Sequence, residues 1–503
     1  MSPAEVRRLT AVTGSRYVPV MLGKYSDTGA DPITAANLQT ELFDGPWPTG
    51  TMTEYYDEIS YGDIALTGTV YNWVTTSNTD DYYCGGQWGI DPVNSKTGEF
   101  ITEVLQANDP AVDFSVYDND GPDNIPNSGD DDGFVDFVAI VHPDEGGECG
   151  PGPVHDMWSH RWQLTGWPQG IFTTNDARTG GGFIRVNDYT IMPALSCGGS
   201  MIEIGVFCHE FGHAFGLPDL YDTSTQGANC TTDFSEGVGE WCLMGGGNWN
   251  SPESPAHMSA WAKTELGWIN PGVVAFDLPA WPIQSATLTP TALKMWTNGT
   301  PGTEYFLVEY RTAHGFDAEI HAPGLLIWHI DENVSSNQSE CHPKVDLECN
   351  DQSGADHVLD HDDLAEGVGS GGNRGDAGDP FCEGSLFAGA TSPSSDAYNG
   401  SNTQVLVEPL SACGPTSIRA TLLVGQPGED VDLCMRDCGA DVCTEPSPCN
   451  KFWASPEIYI DNNSDGIIDP PAEGIANQLF ARVRSVGVNA ASNVDVDFYF
   501  ADP

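Results

Sequence analysis

The 503 residues carry 73 Asp and Glu against 18 Lys and Arg, a formal net charge of −55, with 39% hydrophobic residues, 57 glycines, 35 prolines and 14 cysteines. A chain this acidic repels phosphate backbones and anionic headgroups, which excludes nucleic acid and membrane surfaces as partners and leaves divalent cations or solubility in salt as uses for the charge. The length points to more than one domain, with apolar material for a real core, and the apolar runs are strand-sized, too short to span a bilayer.

Met1 is followed directly by Ser-Pro-Ala-Glu, without the basic and apolar regions of a secretory signal. Fourteen cysteines beside few lysines nevertheless point to an oxidising, extracellular setting. The two observations are reconciled if the chain is a piece of a longer exported precursor.

In chain order, 17–22 and 134–141 have the composition of strands bounded by Gly, Asp and Pro turns. Helices are expected to start over 51–60 and 100–107. Residues 201–215 place Ile204, Phe207, Phe211 and Phe215 at helical spacing. A second helical segment, 259–266, is expected to be capped by Ser254 or His257 and to stop at Gly267. Beyond Pro271 the texture turns to β, with strands over 305–310 and 324–330. Residues 351–380, rich in Asp and Gly, suggest an irregular loop. Cys434, Cys438, Cys443 and Cys449 lack zinc-knuckle spacing and suggest a disulfide-stapled connector.

The chemistry lies in His209-Glu210-Phe211-Gly212-His213. On a helix, residues i and i+4 share one face, so two imidazoles can converge on one ion while Glu210 sits close enough to take a proton from activated water. Gly216 lets the chain leave the helix sharply, and Asp219 follows ten residues after His209, giving H-E-x-x-H-x-x-G-x-x-D. That is similar to the metzincin arrangement with a carboxylate as third ligand. Two nitrogens and one oxygen leave a fourth tetrahedral position open, as catalytic zinc requires. Asp222, Glu236 and Glu240 compete with Asp219 for the third place. Met244, in Trp241-Cys-Leu-Met-Gly-Gly-Gly, is the candidate Met-turn beneath the metal. Cys208 points roughly 100° away from His209 around a helix and is a packing or disulfide residue. Tyr221 and His160 are candidates to stabilise an oxyanion.

The run from His209 to Asp222 closely resembles the immune inhibitor A family of secreted bacterial metalloproteases. The likeness continues in Tyr55-Tyr-Asp-Glu-Ile-Ser-Tyr-Gly62, Asp156-Met-Trp-Ser-His-Arg161, Met244-Gly-Gly-Gly-Asn-Trp249, Glu309-Tyr-Arg311 and Gly324-Leu-Leu-Ile-Trp-His-Ile-Asp331, spanning about residues 17 to 410. The resemblance implies a zinc endopeptidase acting on extracellular proteins, with structural calcium. His209, His213 and Asp219 become zinc ligands, and Glu210 the general base.

Two acidic loops are candidate calcium sites, with hard oxygens at alternating positions. One is Asp461, Asn463, Asp465 and Asp469, without the closing Glu of an EF-hand. The other is Asp118, Asp120, Asp130, Asp132 and Asp136. The expected fold class is an α/β (α+β) metzincin-like metalloprotease catalytic domain over 1–272, followed by a β-rich domain over 273–426 that continues the protease unit. A Cys/Pro-rich linker over 427–450 and an incomplete immunoglobulin-like β-sandwich over 451–503 complete the chain. Partners would be protein or peptide substrates, with a surface or matrix ligand for the last module, which resembles bacterial adhesion domains. The rivals are a catalytically silent extracellular binding protein on the same fold and a zinc hydrolase of non-protein amides.

Overall fold

The computed structural model describes residues 11–149, 156–223, 236–338, 342–350 and 374–425, with four short strand pieces further on. Cys438, Cys443, Cys449, His361, Asp461, Asn463, Asp465 and Asp469 lie outside the described residues. Of the linker and the last module only backbone pairings are described, 458–460 with 479–481 and 433–434 with 484–485.

The chain opens with strand β1 (Gly14–Lys24), helices α1 (Ala35–Gln39) and α2 (Met52–Ile59), and strand β2 (Ile64–Thr75). Helices α3 (Asp80–Cys84) and α4 (Thr97–Asn108) follow, then β3 (Val138–Glu145), β4 (His160–Gln163), the hairpin β5 (Phe172–Ala177) and β6 (Phe183–Val186), and β7 (Asp188–Leu195). Next come helices α5 (Ile204–Ala214) and α6 (Ala260–Glu265). One sheet runs in the order β2-β1-β3-β7-β4, parallel except for β4, which lies antiparallel at the edge. Because side chains alternate along a strand, its two faces feed two cores. Val20, Leu22, Ala139, Val141, Met192 and Ala194 face α2 and α5. Met21, Val138, Ile140, Tyr189 and Ile191 face α4.

Helix α2 starts on a capping box, in which Thr51 and Glu54 satisfy each other's backbone amides, a device that stabilises a helix start by about 1 kcal/mol. Three boundaries differ from the sequence expectation. Helix α5 begins at Ile204, because Met201 and Ile202 first bridge back to the end of β7, with Ile202 N donating to Ala194 O at 3.0 Å. Strand β3 begins at Val138, since Val135 and Asp136 donate their amides to Arg185 and Tyr117 instead. Helix α6 is capped by Ser259, whose Oγ accepts from Ala262 N at 3.2 Å, and not by Ser254 or His257.

Strands β8 (Gly272–Val273), β9 (Leu278–Gln284), β10 (Leu293–Met295), β11 (Glu304–Arg311), β12 (Gly324–Asp331) and β13 (Val345–Leu347) precede β14 (Phe387–Ala388), β15 (Leu406–Pro409) and β16 (Ser417–Leu423). They form one sheet ordered β13-β12-β11-β10-β8 and another ordered β14-β15-β16-β9. Every residue of β12 is buried because both of its faces are covered. Leu325 and Ile327 face the second sheet, while Leu326, Trp328 and Ile330 join the core that also holds α5 and Met244. Apolar packing therefore runs continuously across residue 272.

A buried polar network follows the same seam. Arg311, fully buried, pairs with Asp317 through two nitrogens and donates to Trp241 O at 3.2 Å. His257 donates its backbone amide to Asp317 at 2.9 Å, and its ring lies between Glu58 Oε1 at 2.9 Å and Lys263 Nζ at 3.0 Å. Trp241 Nε1 donates to Asp379 at 2.7 Å, which occupies a carboxylate in the Asp376–Asp379 stretch as a structural acceptor.

Candidate metal centre

Helix α5 lies against the sheet through Phe211, whose ring meets Phe137 edge-on at 4.8 Å, and is tied to α2 by Tyr56 OH donating to Cys208 O at 2.6 Å. Gly212 is needed mid-helix: a Cβ there would sit 2.4 Å from Met244 Sδ, so the methionine lies directly against the helix between the two histidines. At the helix end Gly216 takes φ +103°, which turns the chain so that Asp219 returns to the face of His209 and His213.

Three atoms meet there. Asp219 Oδ1 is 3.2 Å from His209 Nε2 and 3.1 Å from His213 Nε2, and the two Nε2 atoms are 3.1 Å apart. Each imidazole is oriented from behind, His209 Nδ1 donating to Leu243 O and His213 Nδ1 to Leu217 O, both at 2.8 Å. With both Nδ1 atoms protonated, the converging Nε2 and carboxylate atoms are all acceptors, an arrangement stable only around positive charge. Donor atoms bonded to zinc at ~2.0–2.1 Å on a tetrahedron lie ~3.3 Å apart. The spacing and the donor set therefore fit a zinc ion, and the carbonyl anchors fix the tautomer that a metal needs.

The electrostatics agree. Burial works against charge on His213, but the Asp219 carboxylate and the Leu217 carbonyl hold its imidazole above the usual range. Burial would likewise raise Asp219, yet the charge of His213 and hydrogen bonds from both rings hold it well below the ordinary carboxylate value. Glu210 is 4% exposed, and its Oε2 is buried without a hydrogen-bond partner. Burial pushes its carboxyl up to about 8; His209 opposes the shift, while Asp219 and Glu148 add to it.

The rival third ligands are engaged elsewhere or set apart. Glu236 pairs with Arg374 at 3.2 Å and Glu240 with His321 at 3.1 Å, while Asp222 is buried outside the triad. Of the two oxyanion candidates, His160 has both nitrogens taken by Trp158 O and Tyr189 OH, at 2.8 and 3.0 Å. Tyr221 hydrogen-bonds Asp219, with its ring 6.4 Å from His209. Glu148, which no sequence motif singled out, is held by Ser159 and acts on Glu210. Cys208 is a buried thiol, and the described disulfides are Cys149–Cys197 and Cys382–Cys413.

The acidic loop is drawn together selectively. Asp118, Asp120 and Asp136 bring carboxylate oxygens within 4.8 Å of one another. Asp118 is fully buried with both oxygens unpartnered, and burial, followed by Asp131, Asp132 and Asp120, raises it to about 7. Asp130 instead accepts from Ser128, and Asp132 from Phe134 N at 2.9 Å. Asp131, absent from the sequence expectation, accepts from Gly121 N and Ser128 N, both at 2.7 Å, and so closes the loop.

Residues 40–270 match the family model described as immune inhibitor A peptidase M6, catalytic domain. This stretch is similar to the catalytic domain of the immune inhibitor A peptidases. The chain is 33% identical over 213 residues to immune inhibitor A of Bacillus thuringiensis subsp. alesti, covering 40% of this chain and 28% of that protein. It is 30% identical over 266 residues to the pre-pro-metalloprotease PrtV of Vibrio cholerae serotype O1, covering 48% of this chain and 27% of that one. The chain thus spans little more than a quarter of the curated relatives it matches. Among the described residues no helix is long and apolar enough to cross a membrane.

Proposed function

We propose that this chain is a zinc-dependent endopeptidase acting on extracellular proteins, with His209, His213 and Asp219 as metal ligands and Glu210 as general base. The observation that carries this reading is the convergence of two imidazole nitrogens and one carboxylate oxygen within 3.2 Å, each imidazole locked from behind by a backbone carbonyl. Zinc bound there would supply Lewis acidity toward water and the scissile carbonyl. Glu210 Oε2 would take the proton from the attacking water and pass it to the leaving amine. Met244 and Gly212 keep the floor beneath the ligands apolar and close. At the sheet edge, β4 pairs with β7 on one side and, among the described strands, with none on the other, so beside α5 it offers an edge to which an extended peptide could add by backbone hydrogen bonds. That edge favours peptides over small amides and favours catalysis over silent adhesion.

We read residues 1–272 as the metzincin-like catalytic unit and 273–426 as the β-rich unit that supports it. The disulfides support an oxidising, extracellular setting.

Mass spectrometry of the purified chain should find zinc, and a chelator should abolish casein and peptide-library cleavage until zinc is restored; small amides should remain intact. Zinc must displace the proton that Asp219 stabilises on His213, so zinc affinity measured against a competing chelator should fall about tenfold per pH unit once pH drops below the raised His213 value. Affinity that stays flat from pH 8 to 5, or cleavage that survives chelation, would remove this reading.

Calcium is proposed at Asp118, Asp120 and Asp136, where a buried carboxylate with two unpartnered oxygens needs a cation. Calcium at 100 times its Kd would stabilise the fold by about 2.7 kcal/mol. The melting temperature should therefore rise with calcium in the native chain and stay unchanged in Asp118→Asn. An equal rise in both would place the ion elsewhere.

A further inference from the structure

A cavity of about 320 Å³ lies on the β-rich unit between the turn after β10 and the 395–403 loop, and it shares no lining residue with the metal centre. One wall is the half-buried indole of Trp296, backed by Phe306 and His329 at 5.5 and 6.2 Å. The rest is polar: Thr297, Glu304, Asn399, Ser401 and Asn402. The loop that carries the asparagines is clamped from inside. Buried Ser395 donates to Val405 O and buried Thr403 to Ser395 O, both at 2.6 Å, so the polar rim is built before any ligand arrives.

The rim presents both a donor and an acceptor. Glu304 Oε1 is taken by Tyr398 N at 2.8 Å and His329 Nε2 at 3.1 Å, which fixes the carboxylate and leaves Oε2 free of any described protein hydrogen bond. Asn399 uses its amide oxygen on Ser401 N at 2.9 Å, leaving its NH2 group for a ligand. Asn402 is committed at both ends, to Gln404 N at 3.0 Å and Asp396 at 3.1 Å, and stiffens the wall. A sugar hydroxyl both donates and accepts, and the C–H face of a pyranose suits an indole.

Other ligand classes fit less well. An anion would meet Glu304 and a chain of net charge −55, with no Lys or Arg on the lining. A quaternary ammonium wants a cage of aromatic faces, and Trp296 is the single aromatic residue on this lining. We propose that this cavity binds a neutral saccharide, with Trp296 stacking on a sugar face and Glu304 and Asn399 taking its hydroxyls. The β-rich unit then holds the chain to a glycan while the metal centre works on protein.

The test is calorimetric titration of the full chain with N-acetylchitotriose, maltotriose and cellotriose, with glucuronate and choline as charged controls. At least one neutral trisaccharide should saturate with a Kd in the millimolar range or tighter and neither control should bind. Asn399→Ala should weaken binding about tenfold and Trp296→Ala should abolish it, with casein cleavage unchanged in both. Asn399 is exposed, so its variant remains informative even if Trp296→Ala misfolds. Failure of all three sugars to saturate, saturation by choline or glucuronate instead, or undiminished binding by Asn399→Ala would overturn the proposal. None of the binding results depends on whether the metal centre is a protease.

Discussion

Glu210→Gln is expected to retain zinc and lose about 10²–10⁴-fold in kcat on casein, the usual worth of a positioned general base. The substitution is nearly isosteric in a site where Glu210 is 4% exposed, and it touches none of the three ligand atoms. Zinc content should therefore match the native chain. Because Oε2 is buried without a partner, its proton affinity is set by its surroundings: burial raises the carboxyl to about 8, and Asp219 and Glu148 push the same way. A bound dication beside it favours the carboxylate, so the acid limb of the native kcat profile should fall below pH 8. That limb should vanish from whatever residual activity the variant keeps. A variant retaining more than a tenth of native turnover would leave Glu210 without its proposed role.

The second large effect concerns the fold. Arg311→Met should destabilise the chain by about 3–5 kcal/mol, because it leaves the buried Asp317 carboxylate without its guanidinium partner. Both side chains are fully buried, and the pair links the β-rich strands to Trp241 and His257. Burial alone would raise the Asp317 carboxyl, but Arg311, then His257, hold it well below the ordinary range. A depressed carboxylate contributes stability that is present above the unfolded value near 3.9 and is lost only as pH falls through the lower folded value. In the variant the orphaned carboxyl would instead take up a proton, so the deficit should be largest near neutrality and shrink toward pH 4. Replacing both partners with apolar residues should cost less than Arg311→Met alone. Urea titrations of the three proteins measure this, and a loss under 1 kcal/mol for Arg311→Met would show that the pair is incidental.

These two effects differ in how far the sequence announced them. Glu210, both histidines and Asp219 were legible because the geometry is local: i and i+4 on one helix, then a glycine turn over ten residues. Met244 was legible for a related reason, standing directly before three glycines downstream of the helix motif. The carbonyls of Leu243 and Leu217 that orient the imidazoles were not, since a backbone acceptor has no residue signature. In the acidic loop, composition could not separate Asp118, Asp120 and Asp136 from Asp130 and Asp132, because the loop's own hydrogen bonds decide which carboxylates turn inward. The Arg311 network joins residues up to 258 positions apart, a distance over which sequence periodicity carries no information. Boundaries slipped where tertiary pairing overrode local pattern, as when Ile202 completed the end of β7 before α5 could begin.

The continuity of the apolar packing across residue 272 bears on how such a chain can be cut and recombined. Sequence likeness to the family model stops at 270, yet Leu326, Trp328 and Ile330 fill the same interior as Met244 and α5. The edge of the matched family model is therefore not a seam along which the molecule can be opened. An excised segment ending there would present a raw greasy wall together with the widowed partners of Arg311. A lineage that shuffles its terminal appendages freely would have to inherit the metal-centre unit and its β companion as a single heirloom.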